Sequence, residues 1–555
     1  MCSNYVHRST DEGNSWETIS PDLTRNDPEK LQPSGGAITH DNSGAEIYCT
    51  IFAFRESPHE AGVFWAGSDD GLVHISRDGG KSWSNVTPPQ LPEWSQINVI
   101  EPSPHDAGTV YVTAFRYKHD DYRPFVFKSN DYGESWTAIT NGIPDDDYVR
   151  VVREDPNRKG LLYAGTETGL YISFDDGGSW QPFQCNLPVT PIHDLVIKGT
   201  DLVAATHGRA FWILDDLTPL YQMHDEISGQ AAYLFQPRPT TRFRYYSHSS
   251  GQTKGVVNYK MTGPVTVAFR PVETAMGTLS EEFLDAGKNP PDGVIVHYAL
   301  REAPEDEATL TFLDQNGTTL ASFSSKSEQA PRVPVAAGAN RFVWNMRGAP
   351  PVKLESDAPA RSRDARMEAG VAPRVPPGEY RVRLTVAGTT LEAPFVIERD
   401  PRLPATDADI AEQFRLKSEI RDRISEVNQA LNQIRKLKRQ ADEWVSRTKE
   451  TPQEAAVKQA ADAFTERLNA SEGALVNLNA GKPKPGASRL REKLLGLSGM
   501  IDESDDVPTA GAQEVYGNLA DQAEEELAKL RRVVADDLAT FNQALREAGV
   551  PLVEA

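Results

Sequence analysis

One eight-residue pattern constrains this chain more than anything else in it. Ser-x-Asp-x-Gly-x-Ser-Trp occurs four times: "STDEGNSW" (Ser9 to Trp16), "SRDGGKSW" (Ser76 to Trp83), "SNDYGESW" (Ser129 to Trp136) and "SFDDGGSW" (Ser173 to Trp180). The copies start at residues 9, 76, 129 and 173, so the intervals are 67, 53 and 44 residues. A repeat of roughly 40–50 residues with strand-like flanks predicts a β-propeller with four strands per blade. The longer intervals require insertions between strands.

The chemistry of the pattern is that of a turn. Asp11, Asp78, Asp131 and Asp175 are placed to accept hydrogen bonds from backbone N–H groups of their own hairpins. Gly13, Gly80, Gly133 and Gly177 supply positive φ. Trp16, Trp83, Trp136 and Trp180 close each copy with a large apolar plug for the neighbouring blade. The alternative is a calcium loop. Calcium takes about six to eight oxygens, whereas one Asp is common to all four copies and Glu12 and Asp176 are extras.

The flanks repeat as well. "FWAGSDDGLVHIS" (Phe64 to Ser76) parallels "LYAGTETGLYIS" (Leu162 to Ser173), and each reads as strand, Gly-containing turn, strand. Further strands lie upstream in "IYCTIFAF" (47–54), "INVIEPSP" (97–104) and "VRVVREDP" (149–156). Seven of the nine tryptophans precede residue 223, so residues 1–222 read as the repeat domain. It holds a partial blade, three boxed blades and a last blade (192–222) without a box, about four to five blades in all.

The octapeptide resembles the Asp-box, or BNR repeat, of sialidases, xyloglucan-cleaving glycosidases, sortilin-type (VPS10) receptors and a photosystem assembly factor. The whole chain resembles the C-terminal part of large bacterial sortilin-like proteins of the BNR-repeat "glycosyl hydrolase" type. The carriers are "SPDLTRND" (20–27), "SGGAITHDNSGAEIYCTIFA" (34–53), "WAGSDDGLVHISRDGGKSW" (65–83), "DDYRPFVFKSNDYGESW" (120–136), "REDPNRKGLLYAGTETGLYISFDDGGSW" (153–180) and "ATHGRAFWILDDLTPL" (205–220). The resemblance implies protein, peptide or glycan ligands, or an exported glycoside hydrolase. It implies a periplasmic or secreted location, although "MCSNYVHRSTDEG" lacks the apolar core of a signal peptide. It also implies that an N-terminal segment or a second chain completes the propeller.

Past residue 222 the pattern changes. Residues 223–290 read as a connector with no clear period. Residues 291–400 read as an Ig- or FnIII-like β-sandwich, with strands in "GVIVHYAL", "ATLTFLD", "TTLASFS", "NRFVWNM", "GEYRVRLTV" and "LEAPFVIE" and a hairpin turn at "DQNG". Residues 348–375 read as a long Ala/Pro/Arg-rich loop. Residues 405–555 read as an antiparallel helical bundle. Thr406 caps its first helix with Asp409, and Ile420, Ile424, Val427, Leu431, Ile434 and Ala441 form one apolar stripe. "TPQE" (451–454) opens a second helix with Thr451 as cap, "GKPKPG" (481–486) breaks the pattern, and Leu519, Leu527, Leu530, Val534, Phe541 and Leu545 line a last long helix. The fold class is thus mainly β with an α C-terminus.

The formal charge is 58 − 80 = −22, which argues against nucleic acid or an anionic membrane surface as partner. Three cysteines, Cys2, Cys49 and Cys185, give neither a disulfide framework nor a metal knuckle. No apolar stretch of transmembrane length is present. No metal cluster or cofactor-binding motif is visible.

A glycosidase needs paired carboxylates. The candidates are Asp69 and Asp70 in "GSDDG", and Glu154 and Asp155 before Pro156. The sialidase signature is absent, since neither "FRES" (54–57) nor "YRPF" (122–125) matches it. Two stretches carry residue types suited to recognition. "THGRAFWILDD" (206–216) offers His207, Arg209 and Asp215 for an anion or carboxylate in the central channel, or for an Arg209–Asp215 pair. The insertion "RYKHDDYRPF" (116–125) offers Tyr117, His119, Tyr122 and Arg123. The leading reading is a non-enzymatic binding or scaffold protein, with a glycoside hydrolase second.

Overall fold

The computed structural model describes residues 3–33, 35–40, 48–243, 255–262, 264–273, 279–284, 286–328, 331–355, 371–478, 487–551 and 553. They fall into two compact units, Met1–Met223 and His224–Ala555.

The first unit is a series of antiparallel sheets in chain order. A two-stranded sheet pairs β1 (His7–Arg8) with β2 (Glu17–Thr18). Three four-stranded sheets follow. They comprise β3 to β6 (Ile51–Glu56, Phe64–Ser68, Val73–Ser76, Ser84–Asn85), β7 to β10 (Gln96–Pro102, Val110–Arg116, Asp121–Ser129, Thr137–Ala138) and β11 to β14 (Val149–Glu154, Leu162–Thr166, Leu170–Ser173, Gln181–Pro182). The last sheet has three strands, β15 to β17 (Ile192–Lys198, Asp201–Thr206, Phe211–Leu214), and a short helix, α1 (Thr218–Gln222), follows it. First strands of consecutive sheets adjoin: β3 meets β7, β7 meets β11, and β11 meets β15. This is how propeller blades stand around an axis.

The sheets interlock through glycine. A Cβ on Gly67 would lie 2.4 Å from Cγ2 of Ile97, and one on Gly165 would lie 2.6 Å from Cγ2 of Ile192. Each glycine therefore makes room for the isoleucine that opens the next blade. Apolar clusters fill the seams, with Trp65, Ile97 and Val112 in one and Tyr163, Ile192 and Leu202 in another. At about 25 cal/mol per Å² of apolar surface removed from water, this burial supplies the main drive for stacking.

In the second unit two sheets share one core. One is β18–β23–β26 (Ala232–Leu234, Val294–Leu300, Gly338–Trp344). The other runs β19–β28–β27–β24–β25 (Thr240–Arg242, Thr389–Arg399, Gly378–Val386, Thr309–Asp314, Thr319–Ser324). Phe312 stacks on Trp344 at 4.3 Å in that core. The stretch read as a connector supplies β18 and β19, one to each sheet. A third small sheet, β20 to β22 (Asn258–Thr262, Val265–Glu273, Leu279–Phe283), comes from the same stretch. Residues 356–370 of the expected long loop lie outside the described residues, as does the 481–486 break.

Helices α2 (Asp407–Arg447), α3 (Glu454–Leu475), α4 (Leu490–Ile501), α5 (Ala510–Arg532) and α6 (Leu538–Glu547) form the C-terminal region. Thr406 and Asp409 cap α2 reciprocally, and its Ile420–Ala441 stripe is buried. Thr451 does not cap α3. Its hydroxyl donates to the Thr448 carbonyl at 2.6 Å, and the helix starts at Glu454. The π-turn Val533–Asp537 joins α5 to α6, and this lets Leu530 and Phe541 stay on the buried side. Arg242 of β19 and Asp505, before α5, make a buried ion pair at 2.7 Å. Arg347 and Lys417 share Asp502 at 2.8 and 2.5 Å, so charge ties the sandwich to the helices.

Candidate functional site

The four octapeptides adopt one geometry. In the last copy, Asp175 Oδ1 accepts from the Ser173 hydroxyl and the Ser179 N–H at 2.8 Å each. Its Oδ2 accepts from the Ser179 hydroxyl at 2.7 Å. The Gly177 N–H donates to Ser173 Oγ at 2.9 Å, with Gly177 at φ +86°. Asp11, Asp78 and Asp131 repeat this set, with Gly13, Gly80 and Gly133 at φ near +90°. The Ser82 hydroxyl and N–H hold the Asp78 carboxyl at about 2, below the usual carboxylate range. Both carboxylate oxygens are thus engaged inside the turn itself.

The tryptophans then join blade to blade. Trp83 Nε1 donates to the Ile19 carbonyl at 2.9 Å, Trp136 to Val86 at 2.7 Å and Trp180 to Ile139 at 2.7 Å. Ile19, Val86 and Ile139 are the residues that follow β2, β6 and β10, the outer strands of the preceding sheets.

The carboxylate candidates fall into two groups at opposite ends of the sheets. Asp69 and Asp70 sit in the β4–β5 turn, at the end where first strands begin. Asp69 Oδ1 accepts the Cys49 and Thr50 N–H groups at 2.9 and 2.8 Å. Asp70 accepts from the Ser68 hydroxyl at 2.5 Å and from the Arg25 N–H at 2.7 Å. Glu154 and Asp155 sit where β11 ends. Glu154 accepts the Gly160 N–H at 3.0 Å, as Glu56 accepts the Gly62 N–H at 2.8 Å. Asp155 accepts the Asn157 N–H at 2.8 Å, the place taken by Ser57 and Ser103 in the sister turns. A six-residue strand spans about 17–20 Å, and glycosidase carboxylates need separations of about 5–9.5 Å. The two groups do not form one pair.

The end where first strands begin holds a different feature. Each first strand carries a β-bulge at the same place, and the extra residues are Phe52, Asn98, Arg150 and His193. Bulges re-aim side chains and recur next to functional sites. Because β3, β7, β11 and β15 adjoin, the four bulged residues form one row at the mouth of the stack. Phe52 is 51 % exposed and His193 is exposed.

An aromatic and basic band continues from that row. Arg150 lies over the rings of Tyr148, Phe115 and Tyr117 at 5.0–5.8 Å. Tyr117 stacks on Tyr148 at 5.2 Å, and Tyr122 lies 6.2 Å from the same ring. Glu167 orients the assembly by accepting from Tyr148 Oη at 2.8 Å and from Arg150 Nε at 2.7 Å. His193 stacks on His207 at 4.6 Å. Burial and the neighbouring Arg150 and His207 push the His193 imidazole below its ordinary pKa. On the other side, His119 meets the Tyr48 hydroxyl at 3.2 Å, and Tyr48 packs edge-on to Trp94.

Of the candidates read from sequence, Tyr117, His119, Tyr122 and His207 belong to this band. Arg123 is turned onto Asp121, bonded through Nε and Nη2 at 3.0 and 2.9 Å. His207 and Arg209 lie in the β16–β17 hairpin, off the first strand, so they sit beside the mouth and do not run along the axis. The Arg209 carbonyl accepts from Trp212 Nε1 at 2.9 Å. Asp215 follows β17, at the far end of that strand from the hairpin. Sequence reasoning did not pick out Phe52, Asn98, Tyr148, Arg150 or His193.

No protein-family model matches the chain, and no curated protein does. Among solved structures it is similar to YCF48 bound to D1 peptide, with 18 % identity over 30 % of this chain and 51 % of that one, at a TM-score of 0.24. An ancestral GH74 enzyme shares 16 % identity over 58 % of this chain and 36 % of its own, at 0.29. The GH74 xyloglucanase from Xanthomonas campestris shares 12 % over 63 % and 47 %, at 0.24. The chain spans about half or less of the length of these three structures, and the likeness is partial in each.

Proposed function

We propose that this chain is a binding protein whose ligand, a protein, peptide or glycan, seats on the mouth formed by Phe52, Asn98, Arg150 and His193 and on the band of Tyr117, Tyr122 and His207. The observation that carries this reading is the repeated bulge. Four adjoining strands break register at the same place with four chemically different residues, of which Phe52 and His193 are exposed while Asn98 bonds the Arg150 carbonyl and the Arg150 guanidinium is held by Glu167. Tyr and Arg with a supporting carboxylate are the residue types that dominate binding hot spots. The sortilin-like resemblance of the sequence fits a binding role and an extracytoplasmic setting.

A second reading, glycoside hydrolysis, keeps one supporting observation. Burial pushes the Asp69 carboxyl up to about 6, against two backbone N–H bonds that pull it down. A carboxyl held near that value is suited to donate a proton. The test runs binding and turnover together. The full chain is applied to glycan and peptide arrays, and reducing-sugar release is followed on the glycans that bind. The binding reading expects retention without turnover, lost on replacing His193 and His207 together with Ala. Turnover abolished by Asp69→Asn would replace it with the hydrolase reading.

A further inference from the structure

The first octapeptide departs from the other three in one respect. Its internal bonds are intact: Ser9, Asp11 and Ser15 are linked as in the sister copies, and the Gly13 N–H donates to Ser9 Oγ at 2.7 Å. Its tryptophan is not seated. Trp16 is 53 % exposed, and its Nε1 donates to the Gly13 carbonyl of its own turn at 3.1 Å, a bond that the seated Trp83 also makes to Gly80 at 3.2 Å in addition to its bond to Ile19 of the preceding sheet.

The sister copies define what a filled seat contains. The closing residue of an outer strand is β-branched, namely Ile19, Val86 or Ile139. Its N–H bonds across its own sheet, to Val6, Val73 and Val126 at 2.8–2.9 Å, and its carbonyl accepts the indole N–H of the next tryptophan. The motif glycine touches it. A Cβ on Gly80 would fall 2.8 Å from the Ile19 carbonyl oxygen, one on Gly133 2.8 Å from Val86 Cβ, and one on Gly177 2.6 Å from Ile139 Cδ1. A Cβ on Gly13 would meet only its own Trp16, at 3.7 Å. Among the described residues nothing occupies that place.

We infer that Gly13 and Trp16 form a docking seat for a further β-sheet of this same construction, whose outer strand closes in Ile or Val. The occupant follows from continuity with three interfaces already built in this molecule. A second copy of this chain is a poor fit. Its own Ile19, Val86 and Ile139 are already clamped by Trp83, Trp136 and Trp180. Its remaining closing residue is Phe183, an aromatic packed beside Tyr163 in the last seam. The partner is therefore a sheet with a free aliphatic closing residue, and it binds Trp16 through one carbonyl and one branched side chain.

The test labels the full chain with 5-fluorotryptophan and assigns the Trp16 signal by Trp16→Phe. The probe is an unlabelled 17-residue peptide copying Phe125–Asn141 (FVFKSNDYGESWTAITN), which contains the closing strand Thr137–Ala138 and Ile139. The control peptide carries Ile139→Asp. The expected result is a saturable shift of the Trp16 signal alone, with the control at least about tenfold weaker. An unmoved Trp16 signal at millimolar peptide, or an equal shift with the control, overturns the proposal. A Trp16 shift that grows with protein concentration and no peptide also overturns it, because the chain would then fill its own seat.

Discussion

The octapeptides at Ser9–Trp16 and Ser173–Trp180 share their spacing, their hydrogen bonds and their left-handed glycine, yet one tryptophan is 53 % exposed and the other 5 %. The turn is therefore a local product of eight residues, set by an Asp that accepts from serine hydroxyls and backbone. The fate of the tryptophan is decided elsewhere, by whether a closing strand lies against it. The motif does not bury its own aromatic ring. It builds a bracket that a neighbouring blade fills, and the stability it gives to the stack comes from that neighbour.

The largest expected effect comes from truncating the seated ring. Trp180→Ala should cost about 3–5 kcal/mol, because it opens a cavity and orphans the Ile139 carbonyl. Denaturant midpoints would show this, and a loss below about 1 kcal/mol would mean that the seam is not held there. Gly177→Ala and Gly13→Ala come next. Both put a side chain at positive φ, an expected strain of about 1–3 kcal/mol each. Only Gly177→Ala also drives a Cβ into Ile139, so its melting point should fall further than that of Gly13→Ala, and equal losses would refute the seat.

A smaller effect concerns pH. Asp69 has its folded pKa raised from 3.8 to about 6 by burial. The folded state therefore holds that proton more tightly, and stability from this group falls as pH rises from about 4 to 6. Asp69→Asn keeps an acceptor for Cys49 and Thr50 and does not ionise. Its stability relative to the wild type should rise across that window in melts taken from pH 4 to 8, and a flat difference would contradict the assignment. Trp16→Ala is expected to do least, within about 0.5 kcal/mol, as for an exposed side chain with no neighbour to lose.

The sequence made the bracket legible because every part of it is local: Ser, Asp, Gly and Trp at fixed offsets. It made the six sandwich strands and the Ile420–Ala441 stripe legible through period 2 and period 3.6. It did not reveal β18 and β19, which are three residues each, too short to show any period. Thr451 looked like a cap because Pro452 and Glu454 follow it, but its hydroxyl found the Thr448 carbonyl first. The mouth was hidden for another reason. A bulge is a property of two strands in register, and Phe52, Asn98, Arg150 and His193 share no residue type to mark them as equivalent. Tyr117 and Tyr122 stood out only because their insertion lengthens one blade. Their partners Tyr148 and Arg150 lie at the start of the next one.

The brackets build the stack, and recognition is the role proposed for the bulged mouth. The most direct measurement is equilibrium binding of the best array ligand to three full-length proteins: wild type, His193→Ala with His207→Ala, and Asp131→Asn, the last altered in a bracket carboxylate. The histidine variant is expected to lose at least about tenfold in affinity with its melting point unchanged, and Asp131→Asn to lower the melting point with affinity kept. If the bracket variant loses the ligand while the histidine variant binds it normally, the roles assigned to the two regions are the wrong way round.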